Sequence, residues 1–181
     1  ERTWLQRALA EDDSLNSAHL RLAELLRQSG LWRKAADEYQ LVIQREPDNL
    51  YPYLGLSAVY ASQSQPRRAA EVLAQAIEHA PQDASLYLRL GDLHVQRQAW
   101  AEAENAYDRA VRLTKGAQRA EALDRLGDLY LAAGREREGF ICFVEASKLR
   151  VGGASAMAEK RYQQIMRAAD EALVATCART Q

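Results

Sequence analysis

Residues 84–113 read ASLYLRLGDLHVQRQAWAEAENAYDRAVRL, and Leu90-Gly91-Asp92-Leu93 at their centre returns 36 residues later as Leu126-Gly127-Asp128-Leu129. Backwards from the same stretch, a step of 34 residues carries Pro81 onto Pro47, Tyr87 onto Tyr53, and Leu90 onto Leu56 and then Leu22. Ala103 falls on Ala69 and Ala35, Tyr107 on Leu73 and Tyr39, and Trp100 on Pro66 and Trp32. On the forward step Tyr107 becomes Phe143 and Ala110 becomes Ala146. Size-matched recurrence at one spacing marks an internal repeat, and a period of a few tens of residues is the signature of a stacked array.

Each unit divides into two amphipathic stretches with a period near 3.6. In the first, Leu20, Leu22, Ala23, Leu25 and Leu26 mark one helix, and Ser29-Gly30 ends it with a glycine suited to the left-handed position after a helix. Ala35, Ala36, Tyr39, Val42 and Ile43 mark a second, closed by Pro47-Asp48-Asn49, where the proline biases its predecessor away from helical dihedrals. Pro66 opens the corresponding helix of the second unit, where its missing N–H costs little. Composition agrees: Leu, Ala, Glu, Arg and Gln dominate, and runs of Val, Ile and Thr are absent. The fold class is all-α.

These residues resemble the tetratricopeptide repeat (TPR) family, whose 34-residue unit is a pair of antiparallel helices. Its pattern of large, Leu, small and aromatic residues, followed by Ala, aromatic, Ala and Pro, is met at several positions. In the third unit it reads Tyr87, Leu90, Gly91, His94, Ala103, Tyr107 and Ala110, with Lys115 for the proline. In the second it reads Tyr53, Leu56, Ser57, Tyr60, Ala69, Leu73, Ala76 and Pro81. The first has His19, Leu22, Ala23, Leu26, Ala35, Tyr39, Val42 and Pro47, and the fourth Leu123, Leu126, Gly127, Tyr130, Gly139, Phe143 and Ala146. The departures are Gly139 for Ala, the missing prolines after the third and fourth units, and two inserted residues near Thr114 to Gln118.

The resemblance implies a right-handed superhelical solenoid of antiparallel helix hairpins. Four repeats are expected at 16–49, 50–83, 84–119 and 120–153, together 16–153. Small residues at Ala23, Ser57, Gly91 and Gly127, facing Ala35, Ala69 and Ala103, would let the paired backbones approach closely. Residues 1–15 are expected to be the last helix of a preceding, truncated repeat, the sequence being a piece of a longer chain. Beyond Gly152-Gly153, residues 154–181 read as an amphipathic helix that caps the exposed apolar face of the last repeat.

Chemistry is sparse. His19, His79 and His94 lie in three different units without a carboxylate or cysteine at ligand spacing, so no metal site is expected. Cys142 and Cys177 belong to no CxxC pair and read as buried thiols, the alternative being a bridge between them if the last helix packs on the one that carries Cys142. No phosphate-binding glycine loop and no local signature of a nucleophile with its base occurs. We therefore expect no enzyme and no cofactor. The 24 basic and 25 acidic side chains leave a formal charge of −1, which disfavours nucleic acid as a partner. No stretch is apolar for long enough to insert in a membrane. Nothing in the residues fixes a compartment, the cytoplasm being the default reading.

What remains is surface. The resemblance implies that a partner protein or peptide lies in a concave groove lined by the first helices of the repeats. Position by position this gives Ser17, Leu20, Arg21, Glu24 and Arg27 in the first unit, and Tyr51, Leu54 and Ala58 in the second. The third supplies Ser85, Leu88, Arg89, Asp92 and Gln96, and the fourth Asp124, Arg125 and Asp128. Arg21, Arg89 and Arg125 share one position, with Glu24, Asp92 and Asp128 three residues on. Ion pairing along each helix is the simple reading of that spacing; hydrogen bonding to a partner, with Tyr51, Leu54 and Leu88 as apolar anchors, is the functional one. The Lys and Asn clamp by which some family members hold a C-terminal carboxylate is missing, since Leu20, Glu24 and Gly55 stand at its positions. The expected function is a protein-interaction scaffold. The alternatives are a substrate-recruiting or regulatory arm of a larger enzyme, and a self-assembling scaffold.

Overall fold

The computed structural model describes residues 15–150. The expected helix remnant at 1–15, apart from Leu15 itself, and the capping helix expected at 154–181, with Cys177, lie outside the described residues. Among those described, every regular element is an α-helix. They fall into two compact units, one ending at Gln98 and the other beginning at Ala99.

The first unit holds α1 (Asn16–Gln28), α2 (Trp32–Arg45), α3 (Leu50–Ser62), α4 (Pro66–His79) and α5 (Ala84–Gln96). Each helix packs on its neighbours in sequence, and α1 also touches α3, so helical hairpins lie side by side. Leu22, Ala23 and Leu26 of α1, Ala35 and Tyr39 of α2, Leu56, Val59 and Tyr60 of α3, and Ala69 and Leu73 of α4 form one continuous core. These are the positions at which the 34-residue step recurs. Burial of one stripe per helix is what stabilises the array, since no hairpin can cover its own apolar face.

The turns explain the spacing. Asn49 and Asp83, 34 residues apart, accept a hydrogen bond from the backbone N–H two residues on, at 3.1 and 2.9 Å, and so cap α3 and α5. Four of the turns between helices carry one left-handed residue each: Gly30 (φ 71°), Ser64 (φ 56°), Gln98 (φ 56°) and Gly134 (φ 76°). After three of them the next N–H returns to the carbonyl five residues earlier, Leu31 to Leu26, Gln65 to Tyr60 and Arg135 to Tyr130. That bond closes the last helical turn.

The second unit holds α6 (Trp100–Leu113), α7 (Gly116–Ala132) and α8 (Glu136–Leu149), with α7 packed on both of the others. Its core is Ala103, Ala106, Tyr107, Ala110, Leu123, Leu126, Leu129, Phe143 and Ala146. The two inserted residues are taken up by α7, which has 17 residues against 13 in α1, α3 and α5. The repeat boundary expected at residue 120 therefore falls inside this helix. No proline is needed to end α6, because the buried Thr114 hydroxyl donates to the Ala110 carbonyl at 2.7 Å and Gly116 (φ 54°) redirects the chain. Gly139, which departs from the family's alanine, has a local reason. A Cβ there would sit 3.0 Å from the Gly127 carbonyl, and a Cβ on Gly127 would sit 2.7 Å from the Phe143 ring. The backbones of α7 and α8 meet at these two glycines. Asp124 of α7 and Arg150, just past α8, form an ion pair across the same two helices. Cys142 is buried, and burial pushes its thiol up to about 11, which keeps it protonated and unreactive at neutral pH.

Candidate functional site

The residues expected to line a groove are all outside the core. On α1, Ser17 and Arg21 are exposed, while Leu20, Glu24 and Arg27 are half-buried. On α3, Tyr51 is 53% exposed, and Leu54 and Ala58 are half-buried beside it in sequence. On α5, Ser85, Arg89 and Gln96 are exposed, with Leu88 and Asp92 half-buried. In the second unit Asp124 and Arg125 of α7 are half-buried and Asp128 is exposed. Leu20 and Leu54 pack down onto the buried cluster of the first unit.

The most ordered part of this surface is built on Glu24. Arg27 grips its carboxylate with both arms, Nε to Oε2 at 2.9 Å and Nη2 to Oε1 at 2.7 Å. Gln28 donates to Oε1 at 2.8 Å, and the Tyr39 hydroxyl donates to Oε2 at 3.1 Å. Arg27, against the opposing effect of burial, holds this carboxyl at about 2, well below the usual range. Burial, followed by the Glu24 charge, raises Tyr39 above the ordinary tyrosine value. A three-residue spacing places both Arg21 and Arg27 within reach of Glu24; the two-armed partner is Arg27.

From sequence, Tyr39 reads only as a core aromatic of α2. Its ring is buried, yet its hydroxyl passes between α1 and α3 to reach Glu24. The passage exists because Gly55 has no side chain: a Cβ there would stand 2.3 Å from the Tyr39 ring. The signal for this is present in the sequence as a glycine at a groove position, but only the packing ties it to Tyr39. Asp124, by contrast, is engaged by Arg150, and Glu121 faces Arg125 at 3.3 Å.

Tyrosines at one repeat position are each covered by an arginine. The Arg68 guanidinium lies 4.2 Å from the centre of the Tyr60 ring and donates to its hydroxyl at 3.1 Å. Arg135 lies 4.3 Å over Tyr130, whose hydroxyl donates to Glu104 at 2.8 Å. Arg135 also pairs with Glu104 at 2.8 Å and with Glu138 at 3.0 Å. Two of the histidines are occupied locally: Nδ1 of the buried His19 lies 2.6 Å from Glu38, and Nδ1 of His79 lies 3.0 Å from Asp48. Among the described residues no group of three or more His, Cys, Asp or Glu side chains could hold a metal ion, and no helix is long and apolar enough to cross a membrane.

Repeated helical hairpins with one buried stripe per helix and a left-handed turn residue in each pair define an all-α helical-repeat solenoid. Two family models, both described as tetratricopeptide repeat, match residues 17–49 and 54–118. The chain belongs to the tetratricopeptide repeat family. No curated protein matches it in sequence. Among solved structures, TTC0263, a thermophilic TPR protein of Thermus thermophilus, is 24% identical with a TM-score of 0.63, covering 91% of this chain and 88% of that one. MamA from Desulfovibrio magneticus RS-1 is 18% identical, with a TM-score of 0.69 and 82% of each chain covered. YrrB, described as a TPR protein with an unusual peptide-binding site, is 18% identical with a TM-score of 0.68 over 88% of this chain and 81% of its own. These likenesses are of fold.

Proposed function

We propose that this chain is a protein-interaction scaffold that holds an extended or helical segment of a partner protein along its first helices. It carries out no chemistry itself. The observation that carries this reading is the Tyr51 side chain, exposed over half its surface and close enough to Tyr39 to act on it, where the hydrogen bonds of the Glu24 cluster are already made. A tyrosine buries a large area at small entropic cost, and such residues dominate binding energy where pre-formed polar groups surround them. Arg21 and Arg89 extend the same surface on α1 and α5 with donors suited to carboxylates and backbone carbonyls. Family membership and the peptide-binding description of YrrB support the same reading by analogy of fold.

Peptides selected against the protein from a random phage-displayed library provide the test. Their affinity for the Tyr51→Ala, Arg89→Glu double variant should fall tenfold or more. Equal affinity for the wild type and the variant would move the binding surface elsewhere.

A further inference from the structure

A second recessed surface lies at the far end of α3 from Tyr51, about 20 Å along the helix at 1.5 Å per residue. It is an open cleft of about 630 Å³ lined by Ser64, Gln65, Pro66, Arg67, Arg68 and Arg97. Its size is in the range of clefts that accept small ligands or a few side chains. Three of its six lining residues are arginines, and none is acidic.

The arginines differ in what they have already bonded. Arg68 is fixed in place, stacked on Tyr60 and donating to Gln65 Oε1 at 3.0 Å and to the Tyr60 hydroxyl at 3.1 Å. Neither of those acceptors carries charge. Among the described residues the Arg67 and Arg97 guanidinium groups have no hydrogen-bond acceptor and no ion-pair partner. The start of α4 adds to the imbalance. Gln65 gives it no side-chain cap, Pro66 has no N–H, and the first turn has no acidic residue. The uncapped N–H groups and the positive end of the helix dipole thus have no counter-charge either. Three positive charges around a recess, with no acidic residue in its lining, attract an anion. Guanidinium groups favour one with planar, two-oxygen geometry.

We propose that this cleft binds an acidic peptide segment, whose carboxylates pair with Arg67 and Arg97 over the fixed guanidinium of Arg68. A peptide fits better than a nucleic acid. Three charges in one recess match two or three neighbouring carboxylates, whereas binding a phosphate backbone needs a basic surface spread over many phosphates, and this chain has a net charge of −1. The site is distinct from the first-helix groove, so one partner could be held at two points, or two partners at once.

Fluorescence anisotropy with labelled hexaglutamate decides the matter, using hexaglutamine and hexathymidylate of matched label as comparisons. Hexaglutamate should bind the wild type, weaken as salt is raised, and lose tenfold or more in affinity to the Arg67→Gln, Arg97→Gln variant. Tyr51→Ala should leave that affinity within twofold. Neither arginine side chain is bonded within the described fold, so the variant should keep its helical circular dichroism. Failure of hexaglutamate to bind, equal binding of hexaglutamine, or equal affinity for the double variant would overturn the proposal. Tighter binding of hexathymidylate, lost in the same variant, would overturn it in favour of a phosphate site.

Discussion

Glu24 is where a single residue decides most. It takes hydrogen bonds from Arg27, Gln28 and Tyr39, and so links α1 to α2 at the edge of the groove. Its folded-state value of about 2 lies below the ordinary 4.5, so the stabilisation it gives is complete above pH 4.5 and disappears as the pH falls towards 2. The Glu24→Gln variant should be less stable than the wild type at pH 7 by about 2 kcal/mol, a figure already reduced for the partial exposure of the group. Urea denaturation followed by circular dichroism should show that difference shrinking steadily below pH 4.5. A difference that stays constant down to pH 2 would mean that the carboxylate is not charged and bonded as described. The sequence makes Glu24 visible as a groove residue, but the identity of its partners depends on which neighbour the helix backbone brings within reach. A three-residue spacing allows Arg21 and Arg27 equally; only the packed position of Tyr39, admitted by Gly55, makes a cluster out of these side chains.

Among the elements, the α7–α8 hairpin and the turn residues carry the sharpest expectations. Gly127 and Gly139 let two helix backbones meet, with Phe143 lying on Gly127. Gly127→Ala gains about 1 kcal/mol of helix propensity but forces a methyl group against a buried ring. The net result should be a loss of about 1 kcal/mol in chemical denaturation, and the loss should be smaller in a Phe143→Leu background. If the substitution stabilises the protein in both backgrounds, the close approach is wrong. In the turns, glycine at 30 and 134 takes the left-handed conformation at no steric cost, whereas Ser64 and Gln98 take it against their side chains. Ser64→Gly should raise stability by about 1 kcal/mol and Gly134→Ser should lower it by about the same, read as opposite shifts of the thermal midpoint. Element boundaries are legible where they are set by local chemistry: Asn49 and Asp83 as caps, Pro66 as an opening residue, Gly30 as a stop. The start of α7 is not, because Thr114 closes α6 with a side-chain hydrogen bond that leaves no periodic trace. Ser64 and Gln98 are hidden for a similar reason: the repeat imposes the left-handed turn on them, and their own preferences argue against it.

For the whole molecule, the repeat carries the fold and the surface carries the function, and the two are not equally readable. Residues that must be buried in every unit recur every 34 positions and declare themselves on inspection. Surface residues are free to vary from unit to unit, so Tyr51, Glu24 and the three arginines of the cleft have no shared signature. The groove can be traced by position, but its working parts depend on which polar groups satisfy one another and which stay available. The proposed partner along α1, α3 and α5 would draw apolar area from Tyr51 and Leu88 and polar contacts from Arg21 and Arg89. The most direct measurement is amide hydrogen exchange of the full chain with and without a selected peptide ligand. Slowed exchange should concentrate in α1, α3 and α5, centred on Arg21, Tyr51 and Arg89. Protection confined to the second helices α2 and α4 would contradict a groove on the first helices.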